Sequence, residues 1–141
     1  MKKGEVKIDA RQARQLIAAA CAARKHAYAP YSKFRVGAAL LSADGRVFAG
    51  CNVENASYGL TMCAERVALG NAIAHGAKRF VAIAVVYDAR KKAVPCGACR
   101  QVLREFGEEI LVLSATTRGT YTVHTVRELL PASFGPEQLG T

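Results

Sequence analysis

The stretch FVAIAVVYD, residues 80–88, decides the fold. An unbroken apolar run of this length, rich in β-branched residues, reads as a strand covered on both faces. Such a strand needs helices above and below it. Upstream, TMCAERVALG (61–70) opens a helix that runs from about Met62 to His75, with Gly76 as its C-terminal stop. Downstream, DARKKAV (88–94) is a polar loop, and Pro95 introduces a helix through about Phe106, followed by Gly107. EILVLSAT (109–116) is then a second buried strand.

Further out, Asp9 is an N-cap with Gln12 as its capping-box partner. The helix it starts ends before Pro30. VGAALLSADGRVFAGCNV (36–53) reads as strand, turn and strand, with Asp44-Gly45 as the hairpin signal. NASYG (55–59) is a loop, Thr120 to His124 a short strand, and Thr125 to Leu130 a short helix stopped before Pro131. Helices alternating with buried strands give an α/β fold, a three-layer α/β/α arrangement around a mixed sheet of about five strands. At 141 residues the expectation is a single domain over 1–141.

Bulk composition narrows the class. The chain is 51% apolar and 22% charged, which supports a core and argues against disorder. No apolar run approaches the roughly 18 residues needed to span a bilayer. MKKGEVKIDARQ (1–12) is not followed by an apolar signal-peptide core. A soluble, cytoplasmic protein is expected. Thiols stay reduced there, which favours cysteines as metal ligands or catalytic groups over disulfides. The net charge of +9 leaves nucleic acid open as a partner. The basic residues are scattered, however, with short clusters only at Lys2-Lys3 and Arg90-Lys91-Lys92, so a solvated basic surface is the better reading.

The chemistry lies in five cysteines: Cys21, Cys51, Cys63, Cys96 and Cys99. Cys96 and Cys99 stand three apart at a helix start, a pattern with three readings: a redox pair, half of a structural zinc site, or part of a catalytic zinc site with three protein ligands and one open position. Cys63, at another helix start, weakens the redox reading. A structural site needs a fourth ligand, and Cys51, Cys21, His26, His75 and His124 are none of them placed as the second half of a ligand pair. Cys21 and Cys51 read as core residues. Three thiolates and an open position make Glu65 informative, because a carboxylate beside an activated water can take and return a proton. Residues i and i+2 of a helix do not share a face, so Cys63 must lie at the mouth of its helix for Glu65 to join it. Three thiolates on a divalent ion leave a net negative charge. Arg66 is the expected neutraliser, with Arg100 a second candidate.

With these residues in place, the chain resembles the small zinc-dependent cytidine deaminases. YSKFRVGAAL, GCNVENASYG, CAERVA and PCGACRQVLREF look like that family's blocks in that family's order, over roughly Tyr28 to Val112. The resemblance implies a cytidine deaminase-like fold, one zinc held by Cys63, Cys96 and Cys99, and Glu65 as proton shuttle while water attacks the amino-bearing carbon of cytosine. It implies that the Ala64 backbone meets the base carbonyl, that Phe34 packs on the pyrimidine, and that Asn52 and Glu54 bind the ribose 3′-hydroxyl. An amide and a carboxylate two apart on an extended segment suit a hydroxyl, which donates to one and accepts from the other. LLPASF (129–134) resembles the family's tail, where a phenylalanine, here Phe134, closes a neighbouring subunit's pocket in a homotetramer. Small residues Ala64, Ala68, Gly70, Ala72 and Ala74 suit close packing, between subunits or within one core.

The expected substrates are therefore cytidine and 2′-deoxycytidine, in pyrimidine salvage. The alternatives are another cytosine compound such as blasticidin S, a base within nucleic acid, or a non-catalytic four-cysteine zinc module completed by Cys51. The sugar-binding stretch NVENASYG favours a nucleoside. The 7% aromatic content and the absence of tryptophan disfavour a stacking channel for nucleic acid.

Overall fold

A computed structural model describes residues 7–140. Lys2-Lys3 lies outside the described residues. Helix α1 (Ala10–Arg24) starts at the expected capping box: the Asp9 carboxylate accepts the Gln12 N–H at 2.7 Å, and the Gln12 side chain accepts the Asp9 N–H at 3.0 Å. Ala13, Leu16, Ile17 and Ala20 form its buried stripe, at the spacing of one helical face. The helix stops at Arg24, well short of Pro30. Tyr28 is taken into an extended pairing instead, donating its N–H to Asn52 O and accepting from the Glu54 N–H.

Strands β1 (Gly37–Ser42) and β2 (Val47–Cys51) form the expected hairpin around Asp44-Gly45, with Gly45 at φ +90°. β3 (Phe80–Val86) and β4 (Leu111–Ala115) pair in parallel, and β5 (Tyr121–Thr125) closes the sheet antiparallel to β4. The order is β2-β1-β3-β4-β5. Parallel neighbours need a crossover, and α3 (Gly97–Arg104) supplies it between β3 and β4. Helix α2 (Ala64–Ala74) joins β2 to β3, and the short α4 (Val126–Leu129) follows β5.

Side-chain alternation divides the core into two layers. Ala38, Leu40, Ile83, Val85 and Val112 face α2 and Leu103 of α3. Their neighbours Ala39, Leu41, Ala82, Ala84, Val86 and Leu113 face α1. The result is the three-layer, five-stranded mixed α/β arrangement expected. Of the small residues in α2, Ala64, Ala68 and Ala72 are buried against the sheet, whereas Gly70 and Ala74 are exposed. The approach is so close that a Cβ on Gly50 would lie 2.4 Å from the Ala68 backbone nitrogen. Among the described residues no helix is long and apolar enough to cross a membrane.

This topology sets the site. β2 and β3 each run antiparallel to β1, so their C-terminal ends lie at the same edge of the sheet. Both α2 and α3 begin from that edge, which brings two helix N-termini together.

Candidate metal centre and active site

Cys63 is the N-cap of α2 and Cys96 the N-cap of α3. Both have extended backbones, and neither sulfur caps its own helix, so both are free to point at the gap between the two termini. Cys63 therefore sits at the helix mouth, the placement Glu65 requires. Cys99 lies in the first turn of α3 and is fully buried. The three sulfurs lie within 4.8 Å of one another, with Cys63 and Cys96 at 4.0 Å. Four ligands set tetrahedrally about zinc at ~2.3 Å place sulfurs about 3.8 Å apart, so the cluster is sized for the ion. Among the described residues this is the only group of histidine, cysteine or acidic side chains so placed. Cys51, at the end of β2 opposite Gly37, lies outside it, which leaves the four-cysteine module without its fourth ligand. Cys21 is partly buried and packs on the α1 side of the core, Cys51 is partly buried at the end of β2, and burial pushes both thiols up.

The electrostatics also call for a cation. Burial, and then the charges of Glu65 and Cys63, push the Cys99 thiol far up. Burial opposes ionisation of Cys96 too, but the Cys99 N–H and the two neighbouring sulfurs bring it below its ordinary value. A metal ion deprotonates coordinating thiols outright and removes this frustration. Glu65, in the first turn of α2, is 5% exposed. Burial raises its carboxyl; its own N–H, the Cys99 thiol and Arg66 pull the other way.

Arg66 donates from Nη2 to Cys63 Sγ at 3.6 Å and to Thr61 O at 3.4 Å. Its Nε is buried without a partner. Arg100 does not share this arrangement. Its Nε donates to Pro95 O and its Nη1 to Leu129 O, each at 2.8 Å, so its guanidinium braces the loop before Cys96 instead of a sulfur.

A cavity of about 290 Å³ opens over the cluster, lined by Cys63, Ala64, Glu65 and Cys96 on one side and Phe34, Asn52 and Glu54 on the other. The Ala64 N–H belongs to the first helical turn, where no intrahelical acceptor exists. The Phe34 ring is 51% exposed and lies 4.9 Å from the Tyr87 ring. Asn52 and Glu54 continue β2 in extended form and face the same side, with Val53 between them turned outward. Both are also partly committed within the chain. Asn52 accepts the Val36 N–H at 2.8 Å and donates to Phe34 O at 2.7 Å, clamping the segment that carries Phe34. Glu54 accepts the N–H groups of Tyr31 and Ser32 and the Ser32 hydroxyl, which holds its carboxyl below the ordinary value. Each retains hydrogen-bonding capacity beyond these contacts, and both line the cavity. Phe134 is not part of the wall of this chain's own cavity; its ring is 57% exposed on the segment after α4.

Val36, Tyr87 and Val94, with Ser32, Thr61 and Val85, also line the cavity and were not singled out from the sequence. A signal for Tyr87 was present: it follows the buried run of β3, where strand ends in an α/β sheet open onto a site.

Residues 10–115 match the family model described as the cytidine and deoxycytidylate deaminase zinc-binding region. A cytidine deaminase of Halalkalibacterium halodurans is 51% identical over 125 residues, covering 88% of this chain and 95% of that one. The cytidine deaminase of Sporosarcina psychrophila is 48% identical over 126 residues, covering 89% and 93%. The crystal structure of cytidine deaminase from Burkholderia pseudomallei superposes with a TM-score of 0.83 at 51% identity, covering 90% of this chain and all of that one.

Proposed function

The chain belongs to the cytidine and deoxycytidylate deaminase family, and from that premise we propose that residues 1–141 act as a single-domain, cytoplasmic cytidine deaminase in pyrimidine salvage. It hydrolyses cytidine and 2′-deoxycytidine to uridine and 2′-deoxyuridine with release of ammonia. The observation that carries this reading is the cavity itself, whose wall includes Cys63 and Cys96 of the three-thiol cluster together with a buried Glu65. Zinc held by Cys63, Cys96 and Cys99 supplies Lewis acidity that brings the pKa of water to about 7.

The protein's own groups do the rest. The Glu65 carboxylate takes the proton from the attacking water and delivers it to the ring nitrogen beside the amino-bearing carbon. It then takes the remaining proton, from the hydroxyl now on that carbon, and passes it to the amino group, so the carbon–nitrogen bond breaks, the carbonyl forms, ammonia leaves and uracil remains. The Ala64 N–H meets the base carbonyl, and Phe34, backed by Tyr87, covers one side of the pyrimidine. Arg66 offsets the negative charge of the thiolates through Cys63. Arg66→Gln is expected to lower zinc affinity about 10–100-fold, the usual effect of losing a group that holds a ligand. Zinc release to a chromogenic chelator measures it; an unchanged release rate removes Arg66 from this role.

Asn52 and Glu54 meet the 3′-hydroxyl with the positions they have left. The Glu54 carboxylate then repels a 3′-phosphate, which selects a free nucleoside over a residue within a polynucleotide. Loss of cytosine absorbance with cytidine, compared with cytidine 3′-phosphate, tests both parts. The phosphate is expected to lower kcat/KM by about 10²-fold or more, since apposed like charges cost several kcal/mol. Equal rates contradict the assignment of Glu54, and no turnover of cytidine contradicts the function. The assembly is a homotetramer in which Phe134 reaches the cavity of an adjacent subunit. Support comes from exposed apolar side chains at Tyr28, Val53 and Met62, which neighbour one another through the Val53 pairings.

A further inference from the structure

Helix α3 carries two thiols at its start and a set of tail contacts further along. Gln101 donates to Phe134 O at 2.9 Å. Arg104 is 5% exposed although charged, and nearly all its partners come from the segment after α4. Its Nε donates to Ser133 Oγ at 2.7 Å, its Nη2 is paired with Glu137, and its Nη1 lies 3.5 Å from the second Glu137 oxygen. Glu108 adds a contact at 3.5 Å. Gly135 runs so close to this guanidinium that a Cβ there would lie 2.4 Å from Nη1. Beyond it, the Gly135 N–H is held by the Gln138 side chain at 2.6 Å. A buried cation is costly unless paired. The tail satisfies it, and the tail is fixed in return.

Phe134 sits in the middle of this fastened stretch. Its carbonyl is held, its neighbours Ser133 and Gly135 lie against Arg104, and yet its ring is 57% exposed. The backbone that carries this exposed side chain is thus held in one place by α3.

We infer that Arg104 is a positioning residue for substrate binding: it fastens residues 133–137 to α3 and so sets the Phe134 ring in the geometry with which it enters the cavity of a second copy of this chain. This rests on the reading of Phe134 given above. A tail already ordered loses no conformational freedom when substrate arrives, so the contribution of Arg104 lies in binding and not in the chemical step.

The experiment is steady-state kinetics with cytidine on zinc-loaded Arg104→Met, Phe134→Ala and the double variant. Light scattering checks that each retains the assembly of the parent. Met keeps the buried volume, Glu137 is 54% exposed, and Glu108 still pairs with Arg127, so the substitution strands no buried charge. Each single variant is expected to raise KM about tenfold with kcat within about twofold, and the double to add little further, as residues acting through one contact are not additive. Glu137→Gln, which leaves Arg104 in place, is expected to move KM the same way by a smaller factor, and serves if Arg104→Met fails to fold. An unchanged KM for Phe134→Ala overturns the reading of Phe134 and the inference with it. A raised KM for Phe134→Ala with additive effects in the double variant overturns the inference alone. If Glu137→Gln stands in, an unchanged KM for it beside a raised KM for Phe134→Ala does the same.

Discussion

Glu65→Gln is expected to lower kcat for cytidine about 10²–10⁴-fold while zinc stays bound at one ion per chain. The substitution keeps the shape of a side chain that is 5% exposed. Cys63, Cys96 and Cys99 remain, so the metal site keeps all its protein donors. What is lost is the capacity to take a proton from water and return it to the ring and the amine, because an amide does neither. Metal analysis and initial rates on one preparation separate the two effects. A variant that keeps zinc and turns over within about tenfold of the parent takes Glu65 out of the proton path, since general acid–base groups contribute more than that.

The second large effect concerns Gly50. A Cβ there meets the α2 backbone at Ala68 N (2.4 Å) and Ala64 O (2.8 Å), and backbone atoms do not swing aside as a side-chain tip does. Gly50→Ala must lift α2 from β2, and α2 begins at Cys63 and carries Glu65 in its first turn. The expected cost is about 3 kcal/mol or more, at the upper end for overpacking. That corresponds to a fall in melting temperature of about 10 °C or more, with weakened zinc retention beside it. Gly70→Ala is the control. Gly70 lies within the same helix, and a Cβ added there would have no neighbour within 4 Å, so alanine gains about 0.8–1 kcal/mol of helix propensity. Equal melting temperatures for Gly50→Ala and the parent contradict the close approach of α2 and β2.

Much of this architecture was legible locally. The Asp9 capping box, the Asp44-Gly45 turn and the apolar run of β3 each carry their signal within a few residues. The thiol cluster was legible because three cysteines fall at helix starts and the βα connections bring those starts together. Contacts made across the fold left no such trace. Arg100 directly follows a ligand in sequence, yet its guanidinium reaches two backbone carbonyls, one of them on α4. Asn52 reads as a sugar ligand, and half of its amide turns out to clamp Val36 and Phe34. Helix α1 ends earlier than its sequence suggests because the pairing of Tyr28 with the segment after β2 overrides the helical preference of the residues before Pro30. Arg104 gave no signal at all. Glu108 stands at the ordinary i,i+4 spacing, but Ser133 and Glu137, which bury the guanidinium, lie about thirty residues further along the chain, where no local pattern reports them.

X-ray absorption at the zinc edge of the purified, substrate-free protein tests the central claim most directly. Three sulfur scatterers near 2.3 Å and one lighter oxygen or nitrogen scatterer near 2.0 Å are the result expected of three thiolates with one position open to water. Four sulfurs would place Cys51 or another thiol on the ion, close the position Glu65 serves, and contradict the account.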